Sequence, residues 1–193
     1  MPKRIVKRRP WEVESEALVV TPAMERRVKK MLCRQASKEL AELDAASSAD
    51  EAFYLLPIAA NAAYNLRQFE DAEKLARRLL ATAEEFKDNW NYGNALHSAH
   101  TVLGLLAIRR GDTQLAAEEL RASGAVRGSP QLGSFGPTMR LAKELLMIGQ
   151  TTAVLDYLEQ CRVFWKSGGL WLSIWEKKIR RGAMPNFFMN LHR

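Results

Sequence analysis

The fold of this chain is indicated first by the stretch Leu103-Gly-Leu-Leu-Ala-Ile-Arg-Arg-Gly-Asp-Thr-Gln-Leu-Ala-Ala-Glu-Glu-Leu120. On both sides of Gly111-Asp112, apolar residues recur at the three- and four-residue spacing of an amphipathic helix. Glycine commonly follows the last turn of a helix and aspartate commonly precedes the first, so the stretch predicts two helices joined by a tight turn. Because we find no convincing strand-like alternation over five or more residues, we expect an all-α protein.

The same periodicity continues in both directions and predicts eight helices. Thr21-Pro22 is typical of an N-cap followed by proline in the first turn, and Ser48-x-x-Glu51 is a capping box. The expected helices cover residues 22–46, 48–66, 69–86, 90–110, 113–122, 137–148, 151–165 and 170–181. Pro57 predicts a kink or a restart in the second helix, because proline lacks a backbone N–H. Residues 124–137 contain four glycines and two prolines and are expected to form a loop.

Length and composition favour one globular domain. The chain has 193 residues, of which 47% are hydrophobic and 26% are charged, close to the globular average. We expect a basic, flexible N-terminal segment over residues 1–20, a helical domain over residues 21–181 and an irregular tail over residues 182–193. In the tail and the last helix, Trp171, Trp175, Phe187, Phe188 and Leu191 are predicted to cover the open end of the last helix pair, because terminal repeats need a cap.

Three segments resemble one another and resemble tetratricopeptide repeats. In that family, small residues on the two helices of a pair allow close packing, and Gly104 with Ala116 fits this pattern. Ala60 with Ala72 and Ala142 with Val154 occupy the corresponding positions. The stretch Gly128–Pro137 also resembles bacterial repeat proteins of uncharacterised role.

The resemblance implies a right-handed stack of about three helix pairs, over residues 48–86, 90–123 and 137–165. An additional helix would precede the stack, and a cap helix over residues 170–181 would close it. Such arrays act without catalysis or cofactors and bind a peptide or protein segment in a concave groove, so the resemblance implies a protein partner and no enzymatic activity.

In this family the groove is lined by the first helix of each pair. Some members hold a terminal carboxylate with Asn, Lys or Arg at such positions; Asn61, Arg140 and Lys143 fit in kind, whereas Val102 stands where an Asn would be expected. The opposing interpretation is that these polar residues merely solvate an exposed face. The groove candidates are Tyr54, Asn61, Asn65, Ser98, Thr101, Arg109, Arg140 and Lys143.

Charge offers a second hypothesis. The net charge is +7, but it is divided: residues 1–38 carry +7, residues 39–161 carry −6 and residues 162–193 carry +6. Basic termini suggest association with a nucleic acid or another anionic surface. The candidates for such contacts are Lys3, Arg4, Lys7, Arg8 and Arg9, although this cluster is also typical of a solvated tail.

Other chemistry is not indicated. No phosphate-binding loop, nucleophile elbow or zinc-protease motif occurs, and His97-x-x-His100 lacks the third ligand that zinc needs; these histidines are expected to pack or to line the groove. Cys33 and Cys161 are far apart, which favours free, buried thiols in a reducing compartment. The acidic stretch after the basic N-terminus argues against a secretory signal, and no run is apolar enough to span a bilayer. We therefore expect a cytoplasmic protein.

Overall fold

The computed structural model describes residues 21–191, and within this range every regular element is a helix. The all-α prediction is confirmed for this range. The expected segment 1–20, with Lys3, Arg4, Lys7, Arg8 and Arg9, lies outside it. The helices are α1 (Pro22–Asp44), α2 (Ala49–Asn65), α3 (Phe69–Ala83), α4 (Tyr92–Arg110), α5 (Thr113–Gly124), α6 (Pro130–Phe135), α7 (Arg140–Met147), α8 (Thr151–Phe164) and α9 (Gly169–Arg180), with 3₁₀ turns at Glu84–Phe86, Lys166–Gly168 and Phe188–Asn190.

The helix starts follow from local sequence. The Thr21 hydroxyl accepts from the Met24 N–H at 3.2 Å, and the Ser48 hydroxyl accepts from the Glu51 N–H at 3.1 Å. The Glu51 carboxylate turns back to accept from the N–H of Ser47 at 2.8 Å. Each bond satisfies a donor that the first turn leaves without a partner in the helix.

Pro57 does not interrupt α2, which is continuous from Ala49 to Asn65. The predicted restart is therefore wrong. The carbonyl of Pro57 instead accepts two side-chain hydrogen bonds, from Asn61 and Ser98, at the face where α2 meets α4.

Antiparallel pairing of neighbouring helices follows from the short connections between them. The turns 45–48, 66–68, 111–112 and 148–150 join helices that contact one another, so each such pair reverses direction. Further contacts connect these pairs, among them α3 with α4, α2 with α4, α4 with α7, and α5 with α8.

α4 lies at the centre of the packing. Val102 and Leu106 belong to one apolar cluster with residues of α2 and α3, whereas Leu105 and Ala107 belong to another with residues of α5, α7, α8 and α9. A helix that contacts neighbours on several sides has no fully solvated face for charged side chains. This arrangement explains why residues 89–108 contain no Lys or Arg at all.

Gly104 is needed for close packing, but against a different neighbour from the one expected. A Cβ on Gly104 would lie 2.3 Å from Leu141 Cδ2 and 3.1 Å from Glu119 Cβ. The closest approach is therefore to α7, at the next helix pair, and not to Ala116. The prediction of a small residue was correct, whereas the predicted partner was wrong.

Residues 124–137 are not simply a loop. Ser129 caps the short helix α6 by accepting from the Leu132 N–H at 3.1 Å, and Pro130 occupies its first turn. The sixth predicted helix begins at Arg140 and not at Pro137, because residues 137–139 contact the C-terminal segment instead. The Met139 N–H donates to the Asn190 carbonyl at 2.7 Å, and the Asn190 amide donates to the carbonyls of Phe135 and Pro137.

The C-terminal segment packs onto the domain. Phe187 and Trp175 are each 2% exposed, and their rings meet edge to face at 5.0 Å. The expected cap is thus formed by Trp175 and Phe187, whereas Trp171 remains 43% exposed. Within residues 21–191, no helix combines the length and apolarity required to cross a membrane.

Candidate functional site

A concave cavity of about 390 Å³ opens along one side of the helical stack. We call it the groove. Its walls come from α1, α2, α4 and α6, from the residues between α6 and α7, from the start of α7 and from the C-terminal segment. The lining residues are Glu39, Pro57, Ile58, Asn61, Asn65, Asn94, His97, Ser98, Thr101, Gln131, Leu132, Phe135, Gly136, Thr138, Arg140 and Leu191.

Five of the eight groove candidates line this cavity: Asn61, Asn65, Ser98, Thr101 and Arg140. Asn61 and Asn65 lie on α2, Ser98 and Thr101 on α4, and Arg140 at the first position of α7. The structure thus brings together residues from the first helix of each predicted pair.

The other three candidates lie outside the lining. Tyr54 is 42% exposed and faces Trp90, with ring centroids 5.8 Å apart. The Arg109 guanidinium lies 3.6 Å over the Phe69 ring, where it covers apolar surface. Lys143 is half-buried on α7, one turn beyond Arg140.

A hydrogen-bonded group forms the middle of the groove floor. The Asn61 amide donates to Ser98 Oγ at 2.6 Å and to the Pro57 carbonyl at 2.9 Å, while the Ser98 hydroxyl donates to the same carbonyl at 3.1 Å. The Thr101 hydroxyl is satisfied within its own helix, by donating to the His97 carbonyl at 2.8 Å. These bonds fix the polar side chains in one arrangement.

His97 joins the groove floor to the core. Its Nδ1 lies 2.9 Å from the Ser123 carbonyl, which can only accept, so Nδ1 carries the proton and Nε2 accepts from the Thr138 N–H at 3.3 Å. The ring stacks on Tyr157, with centroids 6.4 Å apart. Burial lowers the pKa of His97 to about 4, and the ring is neutral at physiological pH.

Arg140 places a cation at the end of the groove. Its guanidinium lies 4.8 Å from the centre of the Tyr64 ring and makes no ion pair with residues 21–191. Burial lowers its pKa, an effect that the neighbouring Tyr64 and Glu144 partly oppose. A partly desolvated cation without a carboxylate partner is suited to bind an anionic group.

Glu39 was not predicted as a groove residue. It comes from α1, which lies outside the three repeat-like segments, and it is half-buried and lines the cavity. Its carboxylate makes no ion pair with the described residues. Only the packing of α1 on α2 shows that Glu39 reaches the groove.

A second cavity of about 380 Å³ lies at the C-terminal end and is largely aromatic. Trp165, Trp171, Trp175 and Phe188 line it. Phe135 belongs to the lining of both cavities, so α6 separates them.

The histidine pair does not form a metal centre in the described part of the chain. His100 Nδ1 donates to Glu119 Oε2 at 2.7 Å, while His97 faces Ser123 and Thr138. Among the side chains that the structure describes, which do not include that of Cys33, no three His, Cys, Asp or Glu are arranged to hold a metal ion. Cys161 is fully buried, and burial raises the pKa of its thiol.

Comparison with protein-family models, with curated proteins and with solved structures finds no match for this chain.

Proposed function

We propose that this chain is a stack of three tetratricopeptide-like helix pairs that binds an extended segment of a partner protein in the groove, without catalysis. The observation that carries the proposal is the convergence of Asn61, Ser98 and Arg140, from three different helices, on one open cavity. Side chains from successive pairs share a concave face only if the pairs stack in sequence.

The pattern of helix contacts supports the stack. α2, α4 and α7, the first helices of the three pairs, contact one another in sequence, and the second helices of the last two pairs, α5 and α8, also contact. This is the order expected for a solenoid, in which each pair contacts its neighbours.

The chemistry of the lining supports a peptide ligand. Peptide backbone offers N–H donors and carbonyl acceptors in alternation, and asparagine side chains can bind both. Asn65 and Asn94 supply such amides in the lining, and Asn61 contributes its side-chain oxygen, because its N–H groups already bind Ser98 and Pro57. Ile58 and Phe135 add apolar contacts. Arg140 adds one site for an anionic group.

A peptide-display selection on the purified chain tests the proposal. We expect enriched peptides whose affinity falls by about 1–3 kcal/mol when Arg140→Ala removes the cation. Lys143→Ala is the matched control, because Lys143 lies on the same helix but outside the lining, and it should leave affinity within about 0.5 kcal/mol. A selection that enriches no peptide, or peptides whose affinity responds equally to both variants, contradicts the groove assignment.

A second candidate function is association with nucleic acid, favoured by the basic surface of α1. Arg26, Arg27, Lys29, Lys30 and Arg34 are all exposed on its N-terminal half. Phosphate contacts release counterions, so affinity for a DNA or RNA duplex would fall steeply with salt. Replacing these five residues by Gln should then abolish binding and its salt dependence. Unchanged duplex binding after that replacement would contradict a role for α1.

A further inference from the structure

The two ends of the groove carry opposite charges, Glu39 and Arg140, and neither makes an ion pair with another residue that the structure describes. We propose that the groove selects a segment with a lysine or arginine at one end and an aspartate or glutamate about three residues away. This inference rests on the proposed function, because it describes the peptide that the groove would bind. It adds a requirement for charge order and spacing that a general peptide-binding groove would not have.

The acidic end is formed by Glu39. Glu39 precedes the last residue of α1 by five positions, and Tyr54 follows the first residue of α2 by five. Because the turn 45–48 makes the two helices antiparallel, Glu39 faces α2 near Tyr54 and Ile58. Ile58 lines the groove together with Glu39, so this carboxylate lies beside the middle of α2.

Exposed aromatic rings extend the acidic end. Tyr54 lies one helical turn before Ile58, and Trp90 lies four residues before Asn94, which also lines the groove. The two rings are 42% and 53% exposed, and their centroids are 5.8 Å apart. Aromatic faces attract cations, most strongly when a carboxylate lies nearby. A lysine or arginine of the partner therefore meets both kinds of contact here.

The basic end is formed by Arg140. Its guanidinium packs on Tyr64, near the C-terminus of α2, and Asn65 beside it also lines the groove. Glu144, one turn further along α7, influences Arg140 only at a distance and forms no ion pair with it. A carboxylate of the partner can approach the guanidinium and displace no existing ion pair.

The spacing follows from helix geometry. Ile58, which lines the groove with Glu39, and Tyr64, on which Arg140 packs, are six residues apart on α2, which corresponds to about 9 Å along the helix axis. An extended chain covers about 3.3 Å per residue, so this distance corresponds to about three residues. The order of the charges on the partner is thus fixed relative to α2, and uniformly acidic or uniformly basic segments should bind poorly.

The first test uses a displayed library of random linear nine-residue peptides. We expect enriched peptides to contain a Lys or Arg separated by about three residues from an Asp or Glu. Enriched peptides without this pair would overturn the charge inference and leave the proposed function intact. If no peptide is enriched, both the inference and the proposed function fail.

The second test locates each charge by pairing protein and peptide variants. Replacing the cation of an enriched peptide by leucine should weaken its binding to the wild-type chain about tenfold. The same replacement should not weaken its binding to the Glu39→Gln variant any further. Replacing the peptide's carboxylate by a neutral side chain should likewise weaken binding to the wild-type chain about tenfold. It should not weaken binding to the Arg140→Gln variant any further. Because the two sites are far apart, their effects should multiply to about a hundredfold in the double variant.

The matched control is Glu70→Gln with Arg78→Gln on α3. Both residues are exposed and lie outside the groove, and the double variant changes the same number and sign of charges. Its affinity for the peptide should equal that of the wild type. A loss of binding equal to that of the groove variants would show that the effect does not depend on the position of the charges in the groove and would overturn the inference. The inference would also be overturned if the contribution of the peptide's cation to affinity were the same in the wild type, Glu39→Gln and Arg140→Gln.

Discussion

The side-chain amide of Asn61 donates to Ser98 Oγ at 2.6 Å and joins α2 to α4 at the floor of the groove. Both residues also donate to the carbonyl of Pro57. A helix carbonyl ordinarily accepts from a backbone N–H alone, whereas the Pro57 carbonyl also accepts hydrogen bonds from two side chains. The same three groups therefore determine how the first two helix pairs meet and what the groove presents to a ligand.

Ser98→Ala should destabilise the fold. The variant removes a donor to the Pro57 carbonyl and the acceptor of the Asn61 amide, both in a buried setting, and should lower the free energy of unfolding by about 1–3 kcal/mol. Chemical denaturation monitored by circular dichroism measures the change. Ser173→Ala, at an exposed position of α9, is the control and should change it by less than about 0.5 kcal/mol. Equal values for the two variants would contradict this role of Ser98.

Stability should decrease on acidification because of His97. Its pKa is about 4 in the folded state, against 6.5 for an ordinary histidine. The unfolded chain therefore binds the proton first, and the contribution is complete above pH 6.5 and lost as the pH falls to 4. The difference in pKa corresponds to a loss of about 3 kcal/mol.

Denaturation of the wild type and of His97→Gln across this pH range measures the effect. Carboxylates contribute equally to both proteins, so the difference between the two curves isolates His97. The wild type should approach the variant in stability as the pH falls. Parallel curves would show that His97 is not held neutral by the fold.

Gly104→Ala should be destabilising because its methyl group would overlap Leu141. The added Cβ would lie 2.3 Å from Leu141 Cδ2, and overpacking of this kind costs about 1–3 kcal/mol. Gly169→Ala is a control of the same chemistry, because a Cβ there meets no atom within 4 Å and Gly169 begins α9. It should be neutral or slightly stabilising. Thermal unfolding of both variants distinguishes the two sites, and similar melting temperatures would contradict the packing described for Gly104.

Phe187→Ala should test the attachment of the C-terminal segment. The ring is 2% exposed and packs against Trp175, so its removal should lower the free energy of unfolding by about 3–5 kcal/mol. Met184→Ala, at a residue of the same segment that is 47% exposed, should cost less than about 1 kcal/mol. A small effect of Phe187→Ala would mean that the segment contributes little to the fold.

The sequence predicted the elements whose signals are local. Thr21, Ser48 and Asp112 each cap a helix within three residues of themselves, so composition and spacing suffice to place those helix starts. The loop around α6 was not predictable in the same way. Its conformation depends on Asn190, which binds the carbonyls of Phe135 and Pro137 from more than fifty residues away.

The same distinction explains which groove residues could be predicted. Asn61 and Ser98 were predicted from the repeat resemblance, which makes α2 and α4 equivalent first helices. Glu39 could not be found by that comparison, because α1 has no counterpart in the repeat-like segments. Arg109 follows the periodicity but stacks on Phe69, an outcome that depends on packing between α3 and α4.

The bonds made by Asn190 have a consequence for the order in which the protein matures during translation. Asn190 holds the segment between α6 and α7, and Leu191 beside it lines the groove. Helices α1 to α5 leave the ribosome well before these two residues do. A nascent chain can therefore fold α1 to α5 early, yet the groove acquires its full lining only after residues 190 and 191 have emerged. The groove cannot be completed before that point of translation.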